Sequence, residues 1–203
     1  MMEAWIGLGG VIVGSMITIT KDVWLSWIDR RRDGSYSAIR LIFILEEYAD
    51  KCIDVVGDDG TAQGQPAGRT DDGEEYLVAQ VQSPDPIDFP DDIVWRSLKG
   101  SLMHRTLAMT TKARSTNRYV SASAENAFPP DYEEFFEPRR EGYAQLGLDA
   151  LELVDDLRKQ YGIATKTRSE LGSEWDPKAH LRDMLDRFEK HRNRDRGQSN
   201  DLL

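Results

Sequence analysis

The chain has 203 residues, 39% of them hydrophobic, with 36 acidic against 26 basic side chains and a formal net charge of −10. That balance argues against a protein that grips nucleic acid by neutralising phosphates, and a single cysteine, Cys52, excludes an intramolecular disulfide. The length suits one domain with a substantial core once an N-terminal segment is set aside.

That segment comes first in the chain. From Ala4 to Thr20 there is no charged residue, and roughly 17 residues at 1.5 Å each reach the short end of a bilayer crossing. Trp5 and Trp24 lie about 28 Å apart on a helix, close to the hydrocarbon thickness, so both indoles suit the headgroup level, with Trp27 as a second inner anchor. Lys21, Arg30, Arg31 and Arg32 follow the run while Met1 to Glu3 carries no basic residue, which places the longer C-terminal part on the cytoplasmic side and the N-terminus outside. The apolar residues contribute roughly −2 to −4 kcal/mol of insertion energy before glycine, serine and threonine subtract from it. Gly7, Gly10 and Gly14 share one helical face, and the Gly10 to Gly14 spacing lets two helix backbones approach closely in lipid. A partner span or a second copy of the chain is therefore expected there.

Rival readings of the segment are a signal peptide, which fails, and a nucleotide loop or a glycine-rich helix buried in a protein partner, which fit less well. A cleaved signal peptide carries its basic residues before the apolar run, not after it. A dinucleotide loop built on Gly7, Gly9, Gly10 and Gly14 needs a preceding buried strand, and only six residues precede Gly7.

Beyond the arginines, Ile39, Ile42, Phe43, Ala49, Cys52, Ile53 and Val56 recur at three and four, one face of a helix from about Ser35 to Val56. Gly34 is either a joint with the anchor or a glycine tolerated within one helix at about 1 kcal/mol. Between Glu46 and Asp92 about fourteen acids face only Lys51 and Arg69, an acidic region expected to stand away from an anionic leaflet. Residues 57–75 read as an exposed loop, and Asp58-Asp59-Gly60 and Asp71-Asp72-Gly73 lack the alternating ligands and closing glutamate of a calcium loop, so they read as turns. Gly64 to Thr70 falls one residue short of a phosphate loop and has Arg69 in place of lysine. Tyr76 to Val81 is a short strand or helical turn, and Pro84, Pro86 and Pro90 then impose extended chain.

A helix is predicted from Asp91 or Asp92, with Ile93, Trp95, Leu98, Leu102 and Met109 inside, followed by a small-residue helix over 113–127 that can pack closely. Pro129-Pro130-Asp131 with Glu134 marks the next start. Phe136, Tyr143, Leu146, Ala150, Leu153 and Leu157 then form a bundle seam, with Pro138 a kink or restart near its beginning and Gly162 a C-cap. A last helix opens at Asp176-Pro177 with Leu181, Met184, Leu185 and Phe188 inside, and Arg192 to Leu203 reads as a polar tail.

The expected fold is mainly α: an N-terminal transmembrane helix, then a cytoplasmic antiparallel helical bundle with a long acidic loop. The divisions are 1–29 anchor, 30–168 helical domain and 169–203 C-terminal helix and tail. No catalytic, cofactor or metal motif is present: His104, His180 and His191 are scattered, and Cys52 falls on an apolar stripe. The basic residues Lys112, Arg114 and Arg118 beside Tyr119 read as a solvated helix face. The arrangement resembles bacterial inner-membrane proteins that pair a short N-terminal span with a helical cytoplasmic domain, which implies no particular activity. The leading expectation is a non-enzymatic assembly module whose partners are the bilayer and a second copy or membrane protein; the alternative is a membrane-associated enzyme or ligand sensor with a pocket drawing on Asp91 and Asp92.

Overall fold

The computed structural model describes residues 2–125, 127, 132–164 and 175–200; the side chains of 2–20, 22, 23, 133 and 195–200 lie outside that description. The first helix, α1, runs from Met2 to Gly57 without interruption. No proline precedes position 66 to break it. Among the described residues no helix is long and apolar enough to cross a membrane. Trp5, Gly7, Gly10 and Gly14 lie outside the described side chains.

Among the described residues four helices follow one another: α1, then α2 (Gly100–Ala124), α3 (Glu133–Tyr161) and α4 (Pro177–Asn200). The fold is mainly helical and bundle-like, and α3 is its centre, packed against α1, α2 and α4. Ion pairs give the directions. Glu46 on α1 meets Arg158 and the Val56 carbonyl accepts from Arg140, so α1 ascends as α3 descends. Arg105 and Lys112 on α2 meet Asp156 and Asp149, and Lys178, Arg182 and Arg192 on α4 meet Asp155, Glu152 and Glu141. All three neighbours therefore run antiparallel to α3, and α1 and α2 run the same way.

The α3 seam is buried at every expected position, from Phe136 through Tyr143, Leu146, Ala150 and Leu153 to Leu157. Gly162 closes the helix in the left-handed region at φ 64°, its N–H reaching the Arg158 carbonyl. Helix α3 runs through Pro138 as one element rather than restarting there. Its start lies at Glu133 beside Tyr132, while Pro129 to Asp131 fall outside the described residues. Where α2 and α3 come close, a Cβ at Gly142 would stand 2.7 Å from the Thr116 methyl, the tight approach expected of the small-residue stretch of α2.

Helix α1 buries most of the expected stripe, rotated toward Leu41 and Leu45 and away from Ile39 and Phe43. Ala38, Leu41, Leu45, Tyr48, Cys52 and Val55 alternate at three and four and are buried, as are Ile42, Ala49 and Val56. Ile39 and Phe43, expected inside, are 41% and 58% exposed. The cause is an apolar surplus: Ile39 to Leu45 contains six apolar side chains in seven residues, and a helix against one neighbour can hide only about 100° of arc. Gly34 does not divide the helix. It is buried where the last turn of α3 comes up, and a Cβ there would lie 2.9 Å from the Tyr161 ring and 3.0 Å from the Ser97 carbonyl oxygen.

Because α1 and α2 are parallel, residues 58–99 must carry the chain back along the bundle. This segment is more structured than a solvated loop. Asp58 Oδ1 accepts from the Gly60 N–H and Asp59 Oδ1 from Thr61, side-chain turns of the expected kind, with Gly60 at φ 83°. Gly68–Arg69 (β1) and Glu75–Tyr76 (β2) pair antiparallel, with Arg69 and Glu75 bridged across the strands. No strand covers 77–81.

The predicted helix at Asp91 is likewise absent. Trp95–Ser97 is a single 3₁₀ turn and Lys99 is extended, so α2 begins only at Gly100. Tertiary packing holds the break open: Trp95 lies edge-on to Phe89 at 5.4 Å, and the Val94 N–H donates to Ser37 Oγ on α1. Ile93, Leu98, Leu102 and Met109 are nonetheless buried as expected.

Helix α4 starts where predicted, with Asp176 Oδ1 accepting from the N–H groups of Lys178 and Ala179, and Leu181 and Met184 are buried. It continues to Asn200. Arg192, expected in a frayed tail, is held by a two-pronged bond to Glu141 at 2.7 and 3.0 Å, strong geometry for a carboxylate.

Candidate functional site

The return of residues 58–99 brings the start of α2 beside the arginines of α1. Arg30, Arg31 and Arg32 follow Trp24 and Trp27, which are 63% and 55% exposed; the Arg31 guanidinium stacks over the Trp27 ring at 5.2 Å. Opposite them stand Arg96 and Lys99, and the three elements enclose an open cleft of about 900 Å³ whose floor includes Tyr161 at the end of α3. The Tyr161 hydroxyl accepts from the Lys99 N–H at 3.1 Å, which fixes the beginning of α2 at the rim. No side chain caps α2 and no acid sits in its first turn, so the positive end of its dipole is uncompensated.

Among the described residues none of Arg30, Arg31, Arg32, Arg96 and Lys99 forms an ion pair. Elsewhere in the bundle Arg105, Arg139, Arg158, Arg182 and Arg192 each meet a carboxylate from another element. The α1 arginines were legible in the sequence. Arg96 and Lys99 were not, because they come from a segment more than sixty positions later that joins the site only through the fold.

Other concave regions are equipped differently. One of about 530 Å³ is lined by Glu47, Tyr48, Lys51, Asp85 and Asp88, where Lys51 bonds Glu47 at 2.7 Å. Another, about 590 Å³, has Arg140, Arg187, His191 and Arg194 with Asp59 and Glu137 over Phe136 and Phe188, a mixture of both signs. Asp92, a candidate pocket acid, lies at the surface instead, accepting from the Tyr36 hydroxyl at 2.8 Å and facing Arg40; Asp91 is exposed. His180 stacks against Trp175 and His191 lies 4.0 Å from Glu137. Among the described residues no group of histidine, cysteine, aspartate and glutamate side chains could hold a metal ion. Arg118 bonds the Arg114 carbonyl and Tyr119 is exposed, a solvated face as expected, but Lys112, read with them, instead pairs with Asp149 on α3.

Sequence reasoning missed one buried charge cluster. Asp58 and Arg139 pair at 3.0 Å with both side chains 1% exposed. Asp58 Oδ2 also accepts from the Gln80 and Val81 N–H groups at 2.9 Å, and Arg139 donates to the Val81 carbonyl. The pair is enclosed on every side, so it fastens residues 58–81 to α3.

Cys52 is completely buried at the α1–α3 contact, and burial pushes its thiol up to about 12, against a smaller lowering by the Tyr48 hydroxyl. At neutral pH it is a protonated apolar side chain. An aromatic disulfide reagent is expected to leave Cys52 unmodified in the folded protein and to titrate one thiol after denaturation; fast labelling without denaturant would show that this contact opens.

No protein-family model matches the chain, and no curated protein or solved structure matches it either.

Proposed function

We propose that the chain is a single-pass, membrane-tethered helical module: residues 1–29 anchor it, the bundle lies on the cytoplasmic side, and it acts by assembling with a second copy. The observation that carries this reading is the continuity of α1 from Met2 to Gly57. The uncharged run from Ala4 to Thr20 and the helix that supplies one wall of the bundle core are one rod, with exposed Trp24 and Trp27 and the arginine cluster between them. Aromatic residues at the interface and cations on the inner side are what such a junction requires.

The surplus apolar face of α1 supports self-assembly. At 3.6 residues per turn, position 25 lies about five turns after position 7, and position 43 about five turns after 25. Gly7, Leu25 and Phe43 thus fall on one line, with Gly10, Gly14 and Ile39 near it. Leu25, Ile39 and Phe43 are exposed, so the face that favours close helix approach in lipid carries surface apolar side chains beyond it, interrupted by Lys21 and Arg32.

Fractionation of the full chain with an alkaline carbonate wash tests the anchor. A charge at the centre of a span costs about 2.5–3.5 kcal/mol, comparable with the whole insertion energy of this one, so Ile12→Arg is expected to move the protein from the membrane pellet to the soluble fraction. Gly10→Leu with Gly14→Leu is expected to leave the protein in the pellet and reduce cross-linked dimer. Recovery of the unaltered chain in the supernatant would sink the anchor, and unchanged cross-linking of the glycine variant would sink pairing through that face.

A further inference from the structure

We propose that the cleft between Arg30–Arg32 and Arg96–Lys99 is a binding site for the phosphate of an anionic phospholipid headgroup, a reading that rests on the membrane tether proposed above. Three features converge on that chemistry. First, five cationic side chains from two segments distant in sequence enclose one concavity of about 900 Å³, and among the described residues none of them spends its charge on a carboxylate. Four of the five are arginines, whose planar guanidinium suits two-pronged bonding to phosphate oxygens.

Second, the uncapped start of α2 lies at the rim, its positive end adding to the field of Lys99. The Lys99 N–H is already taken by Tyr161, so its side chain is the group that Lys99 offers an anion in the cleft. Third, Trp27 forms part of the wall and stacks under Arg31, a ring suited to the glycerol and upper acyl region beside a headgroup phosphate. Asp29 and Asp33 flank the arginines on α1 but do not line the cleft.

The position selects the source of the phosphate. The cleft begins at Trp27, about two helical turns after the uncharged run ends at Thr20, at the depth where headgroups lie if Trp24 and Trp27 sit at the interface. A polynucleotide would also bring phosphates, but it would have to lie along a chain of net charge −10. A headgroup enters from the membrane side and meets only the basic end of the molecule. Binding there would also set the angle of the bundle, because Arg96 and Lys99 belong to the linker and not to the anchoring helix.

The test uses the full chain in neutral detergent micelles, titrated calorimetrically with dioctanoyl phosphatidylglycerol, dioctanoyl phosphatidylcholine and glycerol 3-phosphate. Saturable binding of phosphatidylglycerol is expected, with phosphatidylcholine and glycerol 3-phosphate much weaker. With each lysine or arginine near an anionic surface worth about 1 kcal/mol, Arg96→Gln with Lys99→Gln is expected to weaken phosphatidylglycerol about tenfold or more. Both side chains are exposed, so folding should be unaffected; Arg31→Gln with Arg32→Gln is a second pair with the same expected loss. Equal binding of glycerol 3-phosphate would overturn the lipid assignment in favour of a soluble phosphate ligand, and phosphatidylglycerol binding untouched by either pair would overturn the site. Carbonate extraction of the Arg96→Gln, Lys99→Gln chain separates this inference from the anchor: it should stay in the pellet whether or not the cleft binds lipid.

Discussion

Replacing Arg139 with methionine should destabilise the bundle by about 3–5 kcal/mol in urea denaturation, the usual cost of leaving a buried charge without its partner. The methionine fills much of the vacated space, so the loss is electrostatic rather than a cavity effect. Asp58, 1% exposed, would keep the N–H groups of Gly60, Gln80 and Val81 but lose the one cation beside it. Adding Asp58→Asn should recover part of the loss, because an amide oxygen can still accept from some of those N–H groups and no charge remains to be solvated. A single-variant cost under about 1 kcal/mol would show that the pair is not the fastening described.

The same pair sets an acid limit. Burial alone pushes the Asp58 carboxyl up, but the N–H groups of Val81 and Gly60 and the Arg139 guanidinium together outweigh it and hold the group below its ordinary value. A carboxylate depressed in the folded state adds stability that is fully present above its unfolded value of about 3.9 and is lost as pH falls through the folded value. The native protein should therefore lose this contribution only below about pH 4. In Arg139→Met the upward push of burial meets less opposition, so the folded carboxyl moves back toward its unfolded value and the acid-dependent loss should shrink. Urea midpoints measured from pH 3 to 7 read the difference directly.

How far the sequence reveals this architecture depends on how cleanly each helix separates its faces. On α3 the apolar seam is bordered by Glu141, Asp149, Glu152, Asp155 and Asp156, and every predicted seam residue is buried. On α1 the apolar residues exceed one face, and periodicity alone cannot choose which arc meets α3. The start of α2 was hidden for another reason. Asp91 and Asp92 look like a helix start, yet Phe89 against Trp95 and Ser37 against Val94 hold the chain out of the helix until Gly100, and such contacts carry no local signal. The Asp58–Arg139 pair joins residues 81 positions apart for the same reason unseen. So does the cleft, whose second wall exists only because α1 and α2 are parallel and the linker must return to Gly34.

Two neighbouring positions on α1 should therefore respond in opposite ways. Leu45→Ala removes a fully buried side chain from the α1 stripe and should cost about 2–5 kcal/mol, the transfer energy of the lost methyl groups plus the cavity they leave. Phe43→Ala removes a larger side chain that is 58% exposed and should change the stability of the monomer by roughly 0.5 kcal/mol or less, as surface substitutions do. If α1 pairs with a second copy along the line of Gly7, Leu25 and Phe43, the ranking reverses in a cross-linking assay: Phe43→Ala loses dimer in membranes while its urea midpoint stays put, and Leu45→Ala shifts the midpoint first. Equal and large destabilisation by both would place Phe43 inside the folded monomer and remove the exposed face on which pairing depends. A neutral Phe43→Ala in both assays would instead leave that face to solvent and remove pairing through it.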